Sequence, residues 1–152
     1  MEHVDRQMEK RVWDRVCARE QGSNMPSLQR ENLKPWILVA QENTAVLRSL
    51  QLQLIGKPWE GLRRMEAESN RMVLSLRGIC AMQGENVKLN PVPTPREVPR
   101  RALEKCYHRT RRIWEEMQRR TADPEHGIVF RKLARQAEEH CAAMAEMIGK
   151  LD

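Results

Sequence analysis

Apolar residues return every three or four positions along most of this chain, and that spacing predicts five helices. Val4, Met8, Val12 and Val16, with Trp13 beside them, predict a short amphipathic helix over 1–20. Gly, Asn and Pro in "EQGSNMPS" (20–27) then interrupt it. Leu33, Trp36, Ala40, Leu47, Leu50 and Leu54 form one stripe of a second helix over about 28–55, with Pro35 near its start, where a missing N–H matters least. Ser27 and Asn32 are alternative caps for it. "GKP" (56–58) stops this helix, and so short a link makes the next helix an antiparallel neighbour. The third helix, about 59–82, carries the stripe Leu62, Met65, Ser69, Met72, Leu76 and Ile79.

Pro91, Pro93, Pro95 and Pro99 exclude a long helix over 84–99 and favour an extended strap. About thirteen extended residues reach roughly 40 Å. A helix of about twenty residues is only about 30 Å long. The strap therefore reaches from one end of a helical bundle to the other. Leu103, Cys106, Thr110, Ile113 and Met117 mark the fourth helix, about 99–120. Asp123, Pro124 and Glu125 supply a cap, a first-position proline and a first-turn acid, so the fifth helix is expected over about 124–149. Its stripe is Phe130, Leu133, Ala137, His140, Met144 and Met147. The expected fold is all-α: two antiparallel hairpins over 28–150, joined by one long crossover and preceded by the 1–20 helix.

Composition supports this reading. The chain has 152 residues, 32% of them charged and 40% hydrophobic, which suits one globular domain with a substantial core. No run of about 18 apolar residues and no charged-then-apolar leader is present, so the expected location is cytoplasmic, with no membrane partner. Cys17, Cys80, Cys106 and Cys141 stand far apart without a C-x-x-C pair, and are expected to be reduced and buried rather than zinc-bound. Trp13, Trp36, Trp59 and Trp114 are expected to anchor the core or an interface.

Bundle cores hold paired iron ions with inward acids and Glu-x-x-His motifs. Here the inward mid-helix positions are Asn43, then Glu66 with Ser69, then Thr110, then Ala137 with His140. With these residues in view, the chain resembles the ferritin-like superfamily, and its small rubrerythrin-like proteins in particular. That resemblance covers about 28–150 and implies a four-helix bundle in which Asn43, Thr110 and Ala137 replace Glu and Ser69 replaces His. Glu66 and His140 match the family's ligands. Glu42, Glu68, Glu138 and Glu139 are adjacent acids, but each residue turns a helix by about 100°, so they are expected off the stripe.

One Glu and one His cannot serve two divalent ions, which need several carboxylates. The resemblance thus implies a bundle that has lost di-iron chemistry and acts as a binding or structural module, with a homodimer expected. Glu66 and His140 are expected to be hydrogen-bonded to each other or to Thr110 and Asn43. An alternative is a metal-dependent oxidoreductase or storage protein with a reduced site at Glu66 and His140, holding iron or zinc. Copper is the soft alternative, through Cys106, His140, Cys141 and Met144.

Net charge is +6. Residues 96–120 contain nine Lys and Arg against four Asp and Glu, a surplus of five. Arg101, Lys105, His108, Arg112 and Arg119 form the face opposite Thr110, an expected surface for an acidic protein or nucleic acid. The 1–20 helix is expected to cover a groove or dock on a second copy.

Overall fold

The computed structural model describes residues 33–151. The expected 1–20 helix, with Trp13 and Cys17, and the caps Ser27 and Asn32 lie outside the described residues. Four helices follow: α1 (Lys34–Gln53), α2 (Gly61–Met82), α3 (Pro99–Arg119) and α4 (Gly127–Lys150). No strand occurs among the described residues.

Local chemistry accounts for the helix ends. Pro35 sits in the first turn of α1, where its lost N–H costs nothing. α1 stops at the extended residue Leu54, and Gly56 turns the chain at φ 122°, a conformation that disfavours a side chain. The 3₁₀ turn Lys57–Trp59 takes Trp59, the expected start of α2, and regular helix begins at Gly61. At the far end of α2, Gly84 adopts φ 83°. There the N–H of Glu85 reaches the Cys80 carbonyl at 2.9 Å and that of Gly84 reaches Ala81 at 3.0 Å, closing the helix with a left-handed cap.

The start of α4 differs from the sequence expectation. Asp123 does cap: its Oδ1 accepts the N–H groups of Glu125 at 2.8 Å and His126 at 2.9 Å. These bonds close a separate turn, and regular helix begins only at Gly127. A Cβ at position 127 would lie 2.5 Å from the Thr121 carbonyl oxygen, so the two turns meet closely there and require glycine.

Two groups of buried side chains fix the topology. Leu33, Trp36, Ile37 and Ala40 from the start of α1 pack with Met72, Leu76 and Ile79 from the end of α2. Ile113 and Met117 from the end of α3, with Phe130 and Leu133 from the start of α4, complete that group. The opposite ends meet in the second group, where Leu47, Leu50, Leu62, Met65, Leu103, Cys106, Met144 and Met147 pack together. Hence α1 and α2 are antiparallel, α3 and α4 are antiparallel, and α2 runs parallel to α3. The α2–α3 connection must therefore travel the bundle's length. It is held on the way by Arg77 Nε donating to the Val87 carbonyl at 3.1 Å and Gln41 Nε2 donating to the Asn90 carbonyl at 2.5 Å. Val87 is itself buried in the core. Burying each large aliphatic side chain supplies about 1.5–3 kcal/mol, so the two groups carry most of the packing energy. No described helix is long and apolar enough to cross a membrane.

Candidate functional site

Between the two apolar groups lies a polar layer. Asn43, Thr44, Ser69, Thr110 and His140 are all buried there, and Ala137 is fully buried. Buried polar atoms need partners, and each of these has them. Asn43 Nδ2 donates to Thr110 Oγ1 at 3.1 Å, while Asn43 Oδ1 accepts from Arg109 Nε at 2.7 Å. The Thr110 hydroxyl donates to the Cys106 carbonyl at 2.7 Å. On the α1–α2 side, the Thr44 and Ser69 hydroxyls lie 2.9 Å apart. They stand 2.9 and 3.1 Å from the Ala40 carbonyl, a closed triangle.

The acid–imidazole contact is formed by a different residue from the expected one. Glu66 does not meet His140; its carboxylate is taken by Gln51 Nε2 at 2.5 Å and Arg48 Nε at 2.8 Å, on the α1 side of α2. The partner of His140 is Glu68, with Nε2 to Oε1 at 3.3 Å. Gln136 donates to the other Glu68 oxygen at 2.9 Å, and Arg64 pairs with Glu68 at 3.2 Å. Position 68 is off the apolar stripe of α2, as the helical phase requires. It nevertheless faces the edge of α4, where a long carboxylate reaches inward. Glu68 is held below the usual carboxylate range: burial pushes it up, but the bond and charge of His140, then Arg64 and Gln136, outweigh that. Burial lowers the His140 pKa more than Glu68 raises it. A neutral ring that meets an ionised carboxylate through Nε2 must carry its proton there.

Sequence reasoning did not single out Thr44, Arg109 or Gln136. Thr44 and Gln136 sit one residue beyond or before stripe positions, and an uncharged polar residue beside a stripe is the signal that was available. Arg109 left no signal, because its guanidinium folds inward along a face that reads as solvent.

The soft groups are buried as expected. Burial pushes the Cys106 thiol up to about 12 and the Cys141 thiol up to about 11, keeping both protonated. Met144 packs with Cys106 in the apolar group at one end. Among the described residues, no three or more His, Cys, Asp or Glu side chains come close enough to share an ion.

The expected basic face of α3 is interleaved with acids. Lys105 pairs with Glu97 on the strap, and Arg119 with Glu116 at 2.6 Å. Arg100 pairs with Glu104 at 3.0 Å. Arg101 is exposed, Arg112 is half-buried, and His108 packs edge-on against Tyr107 at 5.5 Å. The chain matches no family model, no curated protein and no solved structure.

Proposed function

We propose that this chain is a ferritin-like bundle, of the small rubrerythrin-like kind, that has given up di-iron chemistry and serves as a binding or structural module. The reading is supported by the pair of antiparallel hairpins with a full-length crossover. The observation that carries it is the polar layer at mid-bundle. Positions 43, 69 and 110 hold neutral side chains bonded to one another or to neighbours, and position 137 is a buried alanine. Two adjacent divalent ions require several carboxylates for charge balance and coordination. Glu68 and His140 fall short of that set, and Glu68 is already engaged by Arg64 and Gln136. Neutral groups at these positions also spare the bundle the cost of burying several like charges.

The residues present do not fit a di-iron centre. The experiment is metal content of protein purified without chelator, measured by plasma mass spectrometry. Substoichiometric metal, unchanged in Glu68→Ala and His140→Ala, is the expected result. A stoichiometric metal that either variant loses overturns the reading in favour of a metal protein with a reduced site.

A further inference from the structure

Cations without ion pairs among the described residues are spread from Lys34 and Arg63 to Lys88 and Arg96, and one group of them lies on α2 and α4. Arg71 on α2 and Arg131, Lys132 and Arg135 on α4 are all exposed, and none pairs with a described acid. The bonds from Glu68 to Gln136 and His140 fix the register of α2 against α4. From that contact, Arg71 lies one turn along α2 and Lys132 one turn back along α4. Because the helices run in opposite directions, both steps lead to the same end of the bundle, so these cations share one face. Apolar residues continue it: Leu74, the next turn after Arg71, is 53% exposed, and Ile128, the turn before Lys132, is 82% exposed.

We propose that this α2–α4 face docks an acidic amphipathic protein segment, whose carboxylates meet Arg71, Lys132 and Arg135 and whose apolar residues cover Leu74 and Ile128. The proposal rests on the reading of the chain as a binding module and names the class of partner. Cations with no acid partner among the described residues give an attractive field for an acidic partner, and mixed apolar contacts add contact area that charge alone does not. A nucleic-acid backbone offers nothing apolar for Leu74 and Ile128. The described Trp, Tyr and Phe side chains are all buried or half-buried, so none forms a stacking platform. Exposed Glu138 and Glu139 follow Arg135 on α4, so the cationic stretch is short.

The test is fluorescence anisotropy of the full chain with a labelled amphipathic peptide bearing a Glu flank and a Leu face. Binding that weakens with salt, and falls about tenfold or more in Arg71→Glu/Lys132→Glu/Arg135→Glu, is expected. Leu74→Ser/Ile128→Ser should weaken binding while leaving its salt dependence, and Arg101→Glu should change nothing. Unchanged circular dichroism and melting of each variant confirm that the loss is at the surface. Equal binding by wild type and the triple variant, or no binding at all, overturns the proposal. So does charge-dependent retention of single-stranded DNA or phosphatidylserine vesicles without the peptide. None of these outcomes alters metal content, so the docking face and the loss of di-iron chemistry fail separately.

Discussion

Arg109 Nε donates to Asn43 Oδ1 at 2.7 Å, setting a cation of α3 against an amide of α1 at the centre of the bundle. The same amide donates to Thr110, so one side chain ties two residues of the facing helix. Truncation removes a bond from each. Asn43→Ala should destabilise by about 1–3 kcal/mol in urea unfolding. A double-mutant cycle with Arg109→Met should show a coupling of about 0.5 kcal/mol or more. Additive effects would mean that the bond contributes nothing.

The two acids of α2 should behave differently, although they are two residues apart. Glu66 pairs with Arg48, whose side chain is 69% exposed, and such pairs give about 0–1 kcal/mol. Glu68 supports a buried imidazole and the Gln136 amide. Glu68→Ala should therefore cost about 1–3 kcal/mol and exceed the loss from Glu66→Ala. A larger loss at Glu66 would mean that the phase of α2 is wrong.

Stability should fall in mild acid, and His140 sets the window. Its folded pKa lies below its ordinary value of 6.5, because burial outweighs the bond and charge of Glu68. Below 6.5 the unfolded chain takes a proton that the folded chain refuses, so unfolding free energy drops as pH falls. Glu68 acts in the same direction lower down. Its folded pKa lies below 4.5, so its contribution is whole above that value and disappears as pH falls through the folded pKa. Urea midpoints measured from about pH 7 to about pH 5 should decline, and His140→Gln should flatten that decline. An unchanged slope in the variant would assign the effect to other groups.

Cys80, Cys106 and Cys141 should be nearly inert in the folded protein. All three are buried, and burial raises each thiol pKa, to about 12 for Cys106 and about 11 for Cys141. The thiolate is the reactive form. A Cys17→Ser chain should react negligibly with Ellman's reagent at mildly alkaline pH when folded, then release three equivalents in denaturant. Rapid native labelling would show that this part of the core opens readily.

Much of the bundle is legible in the residue order because local rules govern it. Leu33 to Leu50 and Leu62 to Ile79 show helical spacing whatever they touch, and nearly every stripe residue proves buried. The prolines of 91–99 fix an extended strap by steric exclusion alone. The N-terminus of α4 is the local miss. Asp123 and Pro124 have the chemistry of a helix start, yet the close approach of Thr121 to Gly127 delays the helix by one turn.

The order of residues by itself determined the buried stripe of each helix and the neutral groups at positions 43, 69, 110 and 137, because 3.6 residues per turn leave little freedom; Glu66, expected inward, lies on the α1 flank instead. Only the tertiary structure decided which acid meets His140. Glu66 and Glu68 both flank the buried stripe of α2, one on the α1 side and one on the α4 side, and periodicity cannot tell a flank that faces a neighbour from one that faces water. The same holds for charge. The sequence concentrates cations on α3, but folding supplies Glu97 and Glu116 to two of them. It leaves Arg71, Lys132 and Arg135 exposed on a face assembled from two helices far apart in the chain.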